Sequence, residues 1–389
     1  MTRRHTRVGP LAATDARAPR LDVDALIDDS AVGIIVCCGS GGVGKTTTSA
    51  AVALRAAERG RRVVVVTIDP ARRLAQAMGI ERLDNTPRPV TGLDLSRGGG
   101  LDAMMLDMKS TFDEVVISQT TPEKAAQILE NPFYVALSTS FAGTQEYMAM
   151  EKLGQIHRAA RKDGSYDLIV VDTPPSRSAL DFLDAPERLS SFLDGRFIRL
   201  LLTPAKGPAR LMSAGLGLIT NALTKIVGAQ VLRDMQTFVA AFDTLFGGFR
   251  QRAQQTYRLL QADGTAFLVV AAPEPDALRE AAYFTERLEA DRMPLAGLVV
   301  NRASQQPEST MSAEEAMAAA ARLNGEASVT AALLRLHSDR ARMVASEARL
   351  ISRFATGHPD VPMTVVPALP SDVHDLDGLR QVGALLASG

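Results

Sequence analysis

The stretch Gly39-Ser40-Gly41-Gly42-Val43-Gly44-Lys45-Thr46-Thr47 decides the fold, because it lies between an apolar run and an alanine-rich helical pattern. It matches G-x-x-x-x-G-K-[ST], and a strand before it with a helix after it is the context of a phosphate-binding loop. The phosphates of a nucleotide are expected to be bound by Gly41, Gly42, Val43, Gly44, Lys45, Thr46 and Thr47. The charge of Lys45 is expected beside the outer phosphates, and Thr46 is expected to be a Mg²⁺ ligand. The alternative is a glycine turn that merely joins strand to helix, and the strand, the glycines, Lys45 and Thr46 together argue against it.

The rest of the chain repeats short apolar runs separated by helical patterns. Continuous β-branched runs such as Arg62–Thr67 are typical of strands that are buried on both faces of a parallel sheet. The other predicted strands are Leu101–Leu106, Tyr166–Asp172, Ala266–Val270, Ala296–Asn301 and Met363–Val366. This alternation predicts an α/β fold with a doubly wound, mostly parallel sheet.

The domain organisation is predicted from the parts of the chain in which strands and helices alternate. Residues 1–30 lack periodicity and predict a flexible N-terminal tail, with at most a short helix near Leu21–Ile27 and ordered structure from about Ala31. Residues 31–389 are predicted to form one P-loop domain. A helical subdomain is expected to be inserted in it at about 108–160 and 186–262, since neither interval continues the strand pattern. A further helix is expected over Ser312–Leu323.

Composition excludes several classes of function. Of 389 residues, 46% are hydrophobic and 22% charged, and the net charge of −1 lacks the basic excess of a nucleic-acid-binding protein. The two cysteines, Cys37 and Cys38, are neighbours in the first predicted strand, so they point to opposite faces and do not converge on a metal. Such sparse cysteine usage fits a reducing compartment, and we expect the cytoplasm.

Membrane insertion and export are not expected. No apolar run reaches the roughly 18 residues that a membrane-spanning helix needs. The basic start of the chain is followed by polar sequence rather than by the apolar core of a signal peptide. The five histidines are scattered without metal-ligand spacing, and no nucleophilic triad is evident.

Three further polar residues close predicted strands, where ligands bind in parallel sheets. Asp69 is a candidate for holding an attacking water, and Asp172 for holding Mg²⁺ directly or through water. For both acids the alternative is a helix N-cap. Asn301 is a candidate for contact with a purine edge, although asparagines at strand ends are often turn formers.

Taken together, these motifs resemble the anion-transporting (ArsA-type) ATPase family, which includes the arsenical-pump ATPase and the ATPase that targets tail-anchored membrane proteins. In addition to the phosphate loop, Asp69-Pro70-Ala71 resembles the first switch of the family and Asp172-Thr173-Pro174-Pro175 its second switch. Ala142–Glu146 is similar to a segment before the second switch, and Pro367–Pro370 to a late loop near the base. The resemblance implies a nucleotide-gated dimer that binds ATP and Mg²⁺, with Asp69 and Lys45 catalytic and Asn301 and Pro367 beside the base.

The main departure from the family is Ser40. The family usually has a lysine there that reaches the nucleotide of the partner subunit, and serine cannot supply its charge. Either the chain pairs with a paralogue that retains the lysine, or an arginine such as Arg72 or Arg177 replaces it. The cysteines that bind arsenite in the family are also absent, which argues against an arsenite pump.

The inserted helical region bears on the client of such an ATPase. A Met- and Leu-rich stripe from Ile219 to Leu245 has helical spacing and predicts either a groove for a hydrophobic protein segment or ordinary packing. We therefore expect an ATPase, weakly active alone, that acts as a dimeric switch on a hydrophobic segment or a membrane-associated partner. The alternatives are an ATPase that regulates a metabolic partner and a silent nucleotide-binding subunit of a heterodimer.

Overall fold

Valine- and isoleucine-rich runs form the centre of one eight-stranded sheet. The computed structural model describes residues 18–69, 73–132, 144–174, 251–305, 311–323 and 328–388, with Tyr134, Val135, Ser138 and Gly248 besides. Within them the strands are β1 Ile34–Cys38, β2 Arg62–Thr67, β3 Arg88–Pro89, β4 Gly100–Met105, β5 Leu168–Asp172, β6 Thr265–Ala271, β7 Leu295–Ala303 and β8 Met363–Pro367. Side chains of β1, β5 and β6 are buried along the whole strand, as expected of a sheet covered on both faces.

The sheet has the order β3-β4-β2-β5-β1-β6-β7-β8, and every pairing is parallel except that of β3 with β4. The predicted α/β fold with a mostly parallel sheet is therefore confirmed, and the predicted strand bounds are correct to within a residue or two. Sequence reasoning did not predict the short edge strand β3. Since β1 lies between β5 and β6, the loop after β1 opens at the middle of the carboxyl edge of the sheet.

Helices flank the sheet and connect its strands. They are α1 Val23–Asp28, α2 Lys45–Glu58, α3 Arg73–Ala77, α4 Met108–Gln119, α5 Pro122–Leu129, α6 Thr144–Asp163, α7 Pro275–Ala290, α8 Ala313–Arg322, α9 Ser328–Gly357 and α10 Leu376–Ser388, and residues 251–260 are helical as well. Small residues let α2 pack closely on the sheet, and Gly60, at φ 106°, follows its end. The expected alanine-rich helix is α8, which begins with a capping box between Ser312 and Glu315.

The expectation that ordered structure begins near Ala31 was wrong. The backbone of Leu21 donates to the carbonyl of Met363, so the chain before α1 pairs with the first residue of β8, the strand at this edge of the sheet. Val23 and Ile27 on α1 are completely buried in the core. The expected short helix therefore belongs to the packed domain, because its two apolar side chains find a place against the sheet.

This packing predicts that truncating Ile27 destabilises the whole domain. Ile27→Ala should lower the free energy of unfolding by about 2–5 kcal/mol, because it removes buried methylene groups and leaves a cavity. Chemical denaturation of the nucleotide-free protein measures the change. Val329→Ala is the matched control, since Val329 is 72% exposed and its truncation should change the free energy by less than about 0.5 kcal/mol. Equal effects of the two variants would contradict the burial of α1.

The two intervals assigned to an inserted helical subdomain differ in how far they are described. The interval 108–160 contains α4, α5 and most of α6. The interval 186–262 lies mostly outside the described residues, as does the predicted stripe from 219 to 245, so the subdomain stays a prediction. Among the helices that are described, none combines the length and the apolar character that crossing a bilayer would require.

Candidate nucleotide-binding site

Two glycines set the path of the loop between β1 and α2. Gly39 has φ 144°, and a Cβ there would lie 2.0 Å from the backbone oxygen of Val270 on β6. Gly44, immediately before α2, has φ 95°, and a Cβ there would lie 2.2 Å from the side-chain nitrogen of Asn301. Both φ values are left-handed, which favours glycine at each end of the loop, and at Gly39 the close approach of backbone leaves no room for a Cβ.

Asp172 lies where three strands and the loop meet. In the parallel register it is level with Cys37 of β1 and with Thr67 of β2. Its Oδ2 accepts hydrogen bonds from the hydroxyl groups of Thr46, at 2.8 Å, and of Thr67, at 2.9 Å. The structure thus brings together the predicted Mg²⁺ ligand of the loop and the predicted acid of β5, which lie 126 residues apart in sequence.

The second oxygen of this carboxylate is suited to a cation. Asp172 is completely buried, and among the described residues its Oδ1 has no hydrogen-bond partner. Burial raises the pKa of Asp172 to about 6, while the hydrogen bonds from Thr46 and Thr67 act in the opposite direction. Oxygen ligands from a hydroxyl and a carboxylate are those that Mg²⁺ prefers, so Thr46 and Asp172 fit that ion.

Lys45 is buried beside this carboxylate. Its ammonium group donates to the backbone oxygen of Ser40 at 2.7 Å, so it bridges the two ends of the loop. Burial lowers the pKa of Lys45, and the charges of Asp172 and Asp69 partly offset that effect. An ammonium group that is already desolvated is well placed to exchange a backbone carbonyl for the stronger charge of a phosphate.

Two consecutive residues of β7 donate hydrogen bonds to the backbone of the loop. The side-chain amide of Asn301 donates to the backbone oxygen of Val43 at 2.8 Å. The guanidinium of Arg302 donates to the backbone oxygen of Gly42 at 3.1 Å. Pro367, at the end of β8, is paired with Ala303 at the same edge of the sheet. The structure therefore brings Asn301 to the loop itself, and its contact with a base stays a prediction.

The remaining predicted residues are placed as follows. Asp69 follows β2, and its backbone N–H donates to Thr67 Oγ1 at 3.2 Å, which puts it next to the Thr67–Asp172 pair. Gly41 and Gly42 form the exposed apex of the loop, and Thr47 lies in the first turn of α2. Residues 70–72, 141–143 and 175–247 lie outside the described residues, and Arg72 and Arg177 are among them.

Sequence reasoning gave no role to two residues that the structure places at the site. Thr67 is the polar end of an otherwise valine-rich strand, and its hydroxyl orients Asp172. Arg302 directly follows Asn301 and contacts the loop. A hydroxyl that closes an apolar strand next to a strand-ending acid was a usable signal for Thr67. For Arg302 the only signal was its position after Asn301.

The buried carboxylate predicts that Asp172→Asn stabilises the nucleotide-free protein. The pKa of Asp172 is raised from 3.8 to about 6, so the wild type loses stability relative to the variant as the pH rises through this window. Above it the variant should be more stable by about 1–3 kcal/mol, because asparagine cannot ionise. Thermal unfolding of both proteins from pH 4 to pH 8 measures the difference, and a difference that shrinks as the pH rises would contradict it.

Comparison with known proteins agrees with this geometry. The family model described as anion-transporting ATPase matches residues 32–339 of the chain. ATPase GET3 of Candida glabrata is 32% identical over 183 residues, which are 44% of this chain and 51% of that protein. The arsenical pump-driving ATPase of Acidiphilium multivorum is 31% identical over 158 residues, 40% of this chain and 26% of that protein.

A longer match covers more of the chain at lower identity. The ATPase ASNA1 homolog of Cryptosporidium parvum is 27% identical over 264 residues, which are 68% of this chain and 63% of that protein. The chain spans about half the length of the GET3 proteins that it matches. Since the family model covers well over half of the chain, the resemblance predicted from the ordered motifs is confirmed, and the chain belongs to the anion-transporting ATPase family.

Proposed function

We propose that this chain binds and hydrolyses ATP in a Mg²⁺-dependent manner. The observation that carries the proposal is the convergence of Lys45, Thr46 and Asp172, with one oxygen of a buried carboxylate left for a cation. Membership in a family of ATPases supports the same reaction. The two unpaired cysteines fit a reducing compartment, and we propose the cytoplasm.

The roles follow from charge and position. Loop N–H groups of residues 41–46 and the amino end of α2 bind the phosphates, and Lys45 leaves the Ser40 carbonyl to contact them. Thr46 and Asp172 would hold Mg²⁺, which neutralises phosphate charge when bound. Asp69, at the end of β2, orients the attacking water and accepts its proton. Phosphoryl transfer depends mostly on positioning and charge stabilisation, and these residues are of the types that can provide both.

The direct test is ATP binding and phosphate release by the purified chain. Calorimetry should show one ATP site per chain that weakens strongly when EDTA removes Mg²⁺, and released phosphate should report turnover. Asp172→Ala should lose the Mg²⁺ dependence, whereas a surface change such as Asp276→Asn should not, since that side chain is 87% exposed. Binding that is equally tight with and without Mg²⁺ would contradict the assignment of Thr46 and Asp172.

We further propose that the chain works as a nucleotide-gated dimer that handles a hydrophobic protein segment or a membrane-associated partner. Support comes from the family and from similarity to proteins named ATPase GET3. Native mass spectrometry of the untagged protein, isolated from its own cells with ATP present, would report self-association, a paralogue and a bound client. A monomer without a client would contradict this part of the proposal. A soluble enzyme as the partner would instead favour regulation of metabolism.

A silent subunit of a heterodimer is the second candidate, and Ser40 favours it. Ser40 is 8% exposed, carries no charge, and its hydroxyl has no hydrogen-bond partner among the described residues. Arsenite transport is not proposed. Burial raises the pKa of Cys37 and of Cys38 to about 12, so neither becomes a thiolate that would bind a soft metalloid.

A further inference from the structure

Arg302 contacts the phosphate loop at its most exposed point. Its guanidinium donates to the backbone oxygen of Gly42, one residue before the carbonyl that Asn301 binds. Gly41, Gly42 and Arg302 are all exposed, whereas Val43 and Lys45 are buried. The guanidinium therefore lies at the solvent-facing side of the loop, and it has further N–H donors besides the one that binds Gly42.

The backbone of Arg302 is held in an unfavourable conformation to reach this position. Its φ is 63°, and within the described part of the chain only Arg292, at 55°, is another non-glycine residue with positive φ. The pairing of β7 with β8 shifts register between Val300 and Ala303, so the strand is irregular at this residue. Left-handed backbone in a residue with a long side chain is costly, and such strain is often retained where a side chain has to be aimed.

On its exposed side the loop carries no charge of its own, because its apex consists of Gly41 and Gly42. The ammonium group of Lys45 is buried at the carbonyl of Ser40, and Ser40 itself is neutral, so the charge of the loop lies on its buried side. An ATP molecule in the loop carries several negative charges, and a guanidinium binds phosphate oxygens through paired, charge-assisted hydrogen bonds. Arg302 is the cation seen to contact the exposed apex of the loop in the described structure.

We propose that Arg302 is a nucleotide-binding residue, whose guanidinium provides a positive charge at the exposed apex of the loop. This inference rests on the proposed ATP binding of the chain. Arg302 would hold the Gly42 carbonyl turned outward, so that loop N–H groups face the phosphates, and its remaining donors would bind phosphate oxygen. Arg302 is close to the loop in the folded chain but 260 residues away in sequence.

The test compares Arg302→Asn with Arg302→Lys. Asparagine tolerates left-handed backbone better than most residues, so the first variant removes the charge with little change in conformation. We expect its affinity for MgATP to fall roughly tenfold or more, as the loss of a charge-assisted bond to phosphate requires. The lysine variant should recover part of that affinity. The difference in MgATP affinity between the wild type and Arg302→Asn should become smaller as the NaCl concentration rises, because salt screens the interaction that the variant lacks.

Arg292→Asn is the matched control. Arg292 is also exposed and left-handed, but it precedes the amino end of β7, at the opposite edge of the sheet. The Arg292→Asn variant should bind MgATP like the wild type.

If wild-type protein binds MgATP and Arg302→Asn binds within twofold of it, the inference about Arg302 is overturned and the proposed function stands. A gap that does not change with salt, or that accompanies a lower thermal stability without nucleotide, also overturns it. Absence of MgATP binding by the wild type overturns the proposed function itself.

Discussion

Lys45→Met should weaken MgATP binding by about a hundredfold or more and reduce phosphate release to background. The substitution removes the one buried ammonium group that the described structure places inside the loop, 2.7 Å from the Ser40 carbonyl. Charge-assisted hydrogen bonds to phosphate contribute about 1.5–3 kcal/mol each, and a lysine makes more than one. Methionine keeps much of the apolar stem of lysine, so the fold should survive. Calorimetric titration with MgATP measures the loss.

Lys109→Met is the control for removing any lysine. Lys109 lies on α4 and pairs with Asp113 on the protein surface, where its side chain is 44% exposed. Surface ion pairs contribute about 1 kcal/mol or less, and this one is remote from the loop in sequence and on another helix. Its MgATP affinity should equal that of the wild type. Retained binding by Lys45→Met would show that the loop does not use its lysine for phosphate, and ATP binding at this loop would have to be abandoned.

Asp69→Asn should lower the rate of ATP hydrolysis by about a hundredfold or more while leaving MgATP affinity within about threefold of the wild type. Asparagine has nearly the same shape but cannot accept a proton from the attacking water. The backbone N–H of residue 69 donates its hydrogen bond to Thr67 Oγ1 whatever the side chain of residue 69 is. The hydrogen bond from Thr67 to Asp172 should therefore persist in the variant. A separation of turnover from affinity is therefore the expected signature.

Asp276→Asn again serves as the control, since its carboxylate is exposed on α7 and pairs with Arg279 of the same helix. Phosphate release should be measured on the chain alone and on any complex isolated with it. Unchanged turnover in that complex after Asp69→Asn would mean that the hydrolysing site belongs to the other subunit. The chain would then be the silent member of a heterodimer, as the neutral Ser40 already suggests.

The fold was predictable because parallel strands carry a strong local signal. A run such as Arg62–Thr67 is apolar on both faces, and the same pattern around β5 and β6 left little choice but a covered parallel sheet. The start of the packed chain was not predictable in this way. Val23 and Ile27 are too few to give a periodic pattern, and their burial depends on a surface that the rest of the domain creates.

Site residues were predictable from the sequence where their role depends on neighbouring residues in the same segment. The loop residues and the strand-ending acid Asp172 could be found from their local context. The role of Arg302 could not, because it depends on which strands become neighbours and at what register. For Thr67 the sequence showed a hydroxyl at a strand end, but its bond to Asp172 depends on the pairing of β2 with β5. Asn301 is an intermediate case: its place at the end of β7 was expected, but its bond to the Val43 carbonyl required the three-dimensional arrangement.

The way β7 braces the phosphate loop has a consequence for how the protein is made. The loop leaves the ribosome early, but the amide that binds its Val43 carbonyl is 258 residues further along the chain. Contacts of such long sequence separation form late, after large loop-closure costs have been met. During synthesis, the loop therefore lacks its final support until β7 has emerged. Nascent chains that end before β7 should not be protected from protease by MgATP, whereas chains that include it should be.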